Sequence, residues 1–309
     1  MRYNPRCQRV ELSRDWEKNF LPILGDDFFL ETLSGDASHR GGNSSVFRAT
    51  DADNERAYIV KCCRYSLTTR QRRERRRVGR FLREINAMEK ARDSLFAGCV
   101  LAIIDKGAID LRSEYGKQRI HYYVMTEADY DLRHFLEQNE IDLPQKLHLC
   151  ESILGHLRDL HALGIYHRDI KPENIFMIDG KPVLGDLGLI NYRGKDQDMD
   201  DFDEKIGPLG FLSPEATNKC LANRGRPSFG FDCWIDDKSD IFQLGQLFWF
   251  ILQDEVPTGH LSTEDARFTH PRLLSEVIVP MLQYGKQRRA SVTSVGAAMA
   301  PILKEFALT

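Results

Sequence analysis

Two short strings hold the residues of this chain whose types and spacing could do chemistry. HRDIKPEN runs from 167 to 174, and GDLG places Asp186 twelve positions after Asn174. They supply a carboxylate at Asp169, an ammonium at Lys171, and two oxygens able to hold a metal, at Asn174 and Asp186. Hard divalent cations such as magnesium take oxygen ligands and bridge them to phosphates. A carboxylate held close can orient a hydroxyl and receive its proton, and a lysine beside it meets the negative charge that arrives or leaves.

Upstream, GGNSSVFRA lies between two strand-like runs, so the backbone of Gly41 and Gly42, leading to Val46, can place N–H groups beside phosphate. Lys61 closes YIVK among apolar neighbours. A lysine inside a sheet needs an anion and a carboxylate partner. Glu84, next to Phe81 and Ile85 on the following helical stripe, is that carboxylate.

These groups need a frame. Residues 28 to 65 alternate strand and turn: FFLETL, SGDASHRGGN, SSVFRAT, DADNE, RAYIVKCC. The spacing of Phe81, Ile85 and Met88 predicts a helix over 69–93, and the strands VLAIID and HYYVMTE follow it. The chain then turns mainly helical. Asp129, Tyr130 and Asp131 open one helix and 147–161 forms a second. A third starts from a cap at Ser239 and runs through the apolar DIFQLGQLFWFIL. The fold class is therefore α+β, with an extension over 1–27, a small sheet-rich part over 28–127 and a larger helical part over 128–309. In the extension, Trp16, Phe20 and Leu24 recur every four residues, which predicts a short helix that Pro22 stops near Leu21.

Composition narrows the classes. A net charge of -3 gives the whole molecule no attraction to nucleic acid or anionic membrane. No apolar run reaches the roughly 18 to 20 residues that span a bilayer, and MRYNPRCQRVELSRD lacks the apolar core of a secretory signal. The seven cysteines include no CxxC pair, and cysteine and histidine never cluster at zinc-ligand spacing. A cytoplasmic location is expected.

The ordered set of motifs resembles the eukaryotic-type protein kinases, most of all the serine/threonine class, over about residues 28 to 300. The resemblance implies a bilobal fold, ATP as phosphoryl donor, magnesium or manganese as cofactor, and a protein substrate. By it, residues 39–46 occupy the Gly-rich loop, Lys61 binds the α and β phosphates and Glu84 is its helix partner. Asp169 is the catalytic base, Lys171 steadies the transferred group, and Asn174 and Asp186 hold the metal ions. Val46, Ile59, Met125 and Phe176 frame the adenine, and Ser213-Pro214-Glu215 stands in the place of the family's APE. Asp240 braces the HRD backbone, and Arg289, or its neighbour Arg288, pairs with Glu215.

Four positions depart from the family pattern. Of the three glycine places in the Gly-rich loop, His39 and Ser44 fill two, and Gly41 alone is glycine. Ile59 replaces the alanine that meets adenine, and overpacking there costs roughly 1 to 3 kcal/mol. Leu187 replaces the phenylalanine of DFG. Pro208 replaces a hydroxyl residue that bridges the catalytic aspartate and lysine, and proline has neither hydroxyl nor N–H to donate. These departures keep a second expectation in view, a weak or inactive kinase-like protein acting as a scaffold.

Between Asp186 and Leu212 there is no serine or threonine to phosphorylate. Six acids fall there instead: Asp196, Asp198, Asp200, Asp201, Asp203 and Glu204. RQRRERRRVGRFLR, from Arg70 to Arg83, carries eight arginines. Fixed acidic charge docked on these arginines is expected to replace loop phosphorylation. The arginine patch equally suits an acidic partner. Nucleic acid is disfavoured, because no aromatic residues interleave the arginines.

Overall fold

The computed structural model describes residues 1–33, 44–53, 55–194, 200, 205–208, 210–222, 230–257, 259, 261–268, 270 and 272–307. Gly41 and Gly42, with His39, lie outside these residues, as do all of the loop acids but Asp200. The chain divides into two compact units, Met1–Asp93 with Leu101–Glu127, and Ser94–Val100 with Ala128–Thr309.

The first unit is built on an antiparallel sheet of six strands, β3 (Phe20–Ile23), β4 (Asp26–Thr32), β5 (Ser44–Thr50), β6 (Ala57–Cys63), β7 (Ile103–Ser113) and β8 (Gly116–Thr126), in the order β3-β4-β5-β6-β8-β7. Period-two alternation sets its register: Phe47, Val60 and Val124 lie opposite one another across three strands, and all are buried. Helix α1 (Arg72–Arg92) turns Phe81, Glu84, Ile85 and Met88 inward, as their spacing predicts, and exposes most of its leading arginines. The Phe81 ring packs 5.4 Å from that of Tyr123 on β8.

The extension departs from the predicted helix. Strands β1 (Arg2–Asn4) and β2 (Arg9–Glu11) pair as a hairpin, Trp16–Lys18 makes one 3-10 turn, and Phe20–Ile23 joins the sheet as its edge strand. Pro22 sits on that edge, where a missing N–H is tolerated. Leu21 and Ile23 point into the core, while Trp16, Phe20 and Phe29 gather as a ring cluster with centroids 5.5 to 6.4 Å apart. The strands read as VLAIID and HYYVMTE are the two arms of one hairpin closed between Ser113 and Gly116.

The second unit is mainly helical, with α2 (Leu132–Gln138), α3 (Leu143–Ala162), α4 (Pro214–Leu221), α5 (Asp237–Gln253), α6 (Val279–Met281) and α7 (Val292–Ala307). Short strands β9 (Tyr130–Asp131), β11 (Ile175–Ile178) and β12 (Lys181–Leu184) form one small sheet, and β10 (Ile165–Tyr166) pairs with β13 (Asn191–Tyr192). From Ser239 to Gln253 every residue of α5 is buried, which accounts for its apolar text. Its cap is Asp236 rather than Ser239. Asp236 accepts from the Ser239 backbone while the Ser239 hydroxyl bonds back to the Asp236 N–H, a reciprocal pair that satisfies two otherwise orphaned donors. Gly245 lets the helix approach closely, since a Cβ there would stand 2.8 Å from Met281 Cβ.

Candidate active site

Each unit gathers its own set of the residues singled out above. In the first, Val46 lies opposite Lys61 and Lys61 opposite Tyr123, while Ile59 lies opposite Met125. Opposite residues share a face and so do residues two apart, so Val46, Ile59, Lys61, Met125 and Tyr123 all project from one side of the sheet. Lys61 Nζ donates to Glu84 Oε1 at 2.8 Å, and only 11% of the lysine side chain and 3% of the glutamate are accessible. Tyr123 adds a second donor to the same oxygen at 2.9 Å. Sequence reading missed this residue, because its tie to Glu84 crosses from a strand to a helix 39 positions away.

In the second unit, strand β10 leads into the catalytic-type loop and a 3-10 turn, Pro172–Asn174, closes it. Asp169 is the hub. Asn174 Nδ2 donates to Asp169 Oδ2 at 2.7 Å and to its carbonyl at 2.8 Å, while Lys171 Nζ lies 3.3 Å from Oδ2. With the Nδ2 group spent on Asp169, Oδ1 is the Asn174 atom left for a cation. Burial pushes the Asp169 carboxyl above its ordinary value, with Lys171 opposing the shift and Asp186 adding to it.

The loop backbone is pinned from below by Asp240 on α5, which accepts from the N–H of His167 at 2.8 Å, the N–H of Arg168 at 2.7 Å and His161 Nε2 at 2.8 Å. These three donors satisfy a carboxylate that has no accessible surface. They also hold Arg168 at φ 70°, a left-handed conformation unfavourable for a side-chain-bearing residue. His167 is fully buried, which lowers its pKa and keeps the ring neutral. Its Nε2–H donates to the Gly185 carbonyl at 3.1 Å, so Nδ1 is free of hydrogen and accepts from the Asp169 N–H at 3.3 Å. The imidazole thus ties the loop to the residue before Asp186, which is itself left-handed at φ 51°. Phe176 follows on β11, opposite Val183 and Asp131.

Asp200, the one described loop acid, has partners the sequence did not suggest. Its Oδ2 receives Arg168 Nη2 at 2.6 Å and Lys219 Nζ at 2.5 Å, with side-chain exposures of 7%, 1% and 11% for Asp200, Arg168 and Lys219. Arg168 Nε and Nη1 have no hydrogen-bond partner among the described residues. Among the described residues, Asp200 is the anion bonded to this buried guanidinium. Farther on, Arg289, not Arg288, makes a two-pronged pair with Glu215, Nη1 to Oε2 at 3.0 Å and Nη2 to Oε1 at 2.9 Å, and the Ser239 hydroxyl donates to Oε2 at 2.9 Å.

A buried carboxylate with a lysine on one oxygen, together with an amide and a second aspartate able to hold a cation, forms a set suited to phosphoryl transfer. Among the described residues no three His, Cys, Asp or Glu side chains gather as a metal cage. Magnesium with a nucleotide asks for one or two protein oxygens and takes the rest from phosphate and water, which the Asn174 and Asp186 pair fits.

The protein kinase domain model matches residues 39–295, most of the chain. The chain belongs to the protein kinase family. The kinase is 24% identical to the dual specificity protein kinase Ttk of Danio rerio, across 79% of this chain and 22% of that protein. It is 26% identical to the serine/threonine-protein kinase cds1 of Schizosaccharomyces pombe, across 81% of this chain and 50% of that one. A probable serine/threonine-protein kinase of Streptomyces coelicolor is 29% identical, across 75% and 32%. The kinase thus spans half or less of the length of these curated relatives. Among its described residues no helix is long and apolar enough to cross a membrane.

Proposed function

We propose that this protein kinase is an active enzyme that transfers the γ-phosphoryl group of ATP to a serine or threonine hydroxyl of a protein. The observation that carries the reading is the buried Asp169 carboxylate, whose Oδ2 meets Asn174 Nδ2 at 2.7 Å and the half-buried Lys171 Nζ at 3.3 Å. The family's bridging hydroxyl is absent at Pro208, yet lysine and aspartate meet directly. Lys171 after HRDI also favours the serine/threonine class over tyrosine kinases.

In the reaction, the substrate hydroxyl oxygen attacks the γ-phosphorus, the bond from that phosphorus to the β,γ-bridging oxygen breaks, and ADP departs. The hydroxyl proton passes to the Asp169 carboxylate, and Lys171 offsets negative charge on the moving group. Lys61, fixed by Glu84, holds the α and β phosphates, with Val46, Ile59, Met125 and Phe176 as the apolar adenine contacts. Asn174 and Asp186 would hold a divalent cation, magnesium first and manganese second, which supplies charge neutralisation at the phosphates.

Loop phosphorylation is not required on this reading. Arg168 needs an anion because an unpaired buried charge is costly, and Asp200 supplies one permanently.

The test is incubation of the purified chain with labelled ATP and magnesium or manganese, alone and with a serine- and threonine-rich peptide library, followed by mass-spectrometric mapping. Label on serine or threonine that disappears in Asp169→Ala and Asp186→Ala is expected. No incorporation under either metal overturns the reading in favour of a scaffold.

A further inference from the structure

Asp240 is not alone in holding the catalytic loop. Gln243, one turn along the same helix, is 1% exposed and lies in the apolar run FQLGQLFWFIL. A primary amide there is costly unless both of its ends are bonded. Both are. Its Oε1 accepts from the Ile170 N–H at 3.0 Å and its Nε2 donates to the Arg168 carbonyl at 3.3 Å.

These two bonds straddle Asp169. One planar amide fixes the carbonyl before the base and the N–H after it, which sets the two peptide planes that determine where the Asp169 side chain leaves the backbone. The remaining backbone groups nearby are also assigned: Arg168 N–H to Asp240, Asp169 N–H to His167, Asp169 carbonyl to Asn174. Glutamine accepts at one end and donates at the other whatever the pH. Glutamate keeps the length and, when ionised, loses the donor.

The same amide meets the turn at Gly207-Pro208. A Cβ on Gly207 would come within 3.0 Å of Gln243 Nε2, 3.0 Å of Leu212 Cδ2 and 3.4 Å of the Arg168 carbonyl, and its φ of 112° also favours glycine. The segment that lost its hydroxyl at Pro208 therefore packs directly on the Gln243 amide.

We infer that Gln243 is a positioning residue for Asp169, orienting the base through the backbone where the hydroxyl bridge is missing. This rests on the reading of Asp169 as catalytic base. A base displaced by an ångström loses on the order of 10²-fold in rate.

The full chain is assayed as wild type, Gln243→Leu, Gln243→Glu and Asp169→Ala. The expected result for Gln243→Leu is a kcat lowered roughly 10- to 100-fold with the KM for ATP within about twofold of wild type. For Gln243→Glu, the introduced carboxyl makes both bonds only when protonated, so kcat relative to wild type should climb as pH falls. Rates are normalised to nucleotide-binding sites, so a loss of folded protein is not read as a loss of rate. If Gln243→Leu does not fold, the isosteric Gln243→Glu carries the test. Wild-type kcat in the variants, or a Gln243→Glu ratio flat with pH, overturns the inference while the function stands. An inactive wild type overturns the function instead.

Discussion

Tyr123 and Lys61 donate to one and the same oxygen, Glu84 Oε1, at 2.9 and 2.8 Å. The two donors sit opposite each other on neighbouring strands, so the sheet itself aims both at the helix. Glu84 is thereby held inward by contacts belonging wholly to the first unit. Tyr123→Phe keeps the ring against Phe81 and removes only the hydroxyl. A buried hydrogen bond to a charged group contributes about 1.5 to 3 kcal/mol. The variant should lose roughly 10- to 100-fold in kcat/KM for ATP, with most of the loss in KM, measured by steady-state kinetics across ATP concentration. Unchanged kinetics would remove Tyr123 from the phosphate-binding arrangement.

Local pattern carried a good part of this fold. SSVFRAT is the strand Ser44–Thr50, and RAYIVKCC overlaps Ala57–Cys63, because β-branched and aromatic residues alternate there between turn residues. The stripe Phe81, Ile85, Met88 gave the helix and, with it, Glu84. The same rule failed at Trp16, Phe20 and Leu24, whose spacing fits a helix while strand pairing with β4 decides the outcome. No local pattern could announce Tyr123 on Glu84, Gln243 around Asp169, or Arg168 on Asp200. Each joins residues 32 to 75 positions apart, and each partner looks ordinary in its own stretch.

A buried fixed charge at Asp200 and an exposed clamp respond differently to salt. An exposed cluster of acids on arginines would weaken with salt, whereas the Arg168–Asp200–Lys219 group is largely buried and screened little. Wild-type enzyme treated with phosphatase should keep its activity, and raising salt to about 0.5 M should change it little. Asp200→Asn should lower kcat roughly tenfold or more, because it strands the buried guanidinium. Full activity in that variant, or loss of wild-type activity on phosphatase treatment, would show that the charge at Asp200 is not the switch.

The Glu215–Arg289 pair is a matter of stability. Both side chains are buried, and Arg289 also donates to the carbonyls of Lys238, Gln283 and Tyr284, tying α4 to the start of α5 and to the segment before α7. Removing one partner leaves an uncompensated charge at a cost of about 3 to 5 kcal/mol. Glu215→Ala and Arg289→Ala should each lower the free energy of unfolding by that amount, measured by chemical denaturation. The double variant Glu215→Ala with Arg289→Ala should cost less than the sum of the two, a coupling that a double-mutant cycle reads directly.

Proton affinity at Asp169 links stability to turnover. Burial raises its pKa above 3.8, so the folded protein binds this proton more tightly than the unfolded chain does. Ionising the group is then a penalty on folding that is absent below the unfolded pKa and complete once pH has risen past the folded one. Asp169→Asn removes that penalty and should raise the melting temperature at neutral pH while abolishing turnover. The base must be ionised to accept the substrate proton, so kcat should fall as pH drops through the folded pKa, with an acid limb displaced upward from that of an exposed aspartate. Lys171 holds that pKa down. Lys171→Met should therefore move the acid limb to higher pH, and Lys171→Arg, which keeps the charge, should leave it in place. A limb that stays put in Lys171→Met would mean that a group other than Asp169 takes the proton.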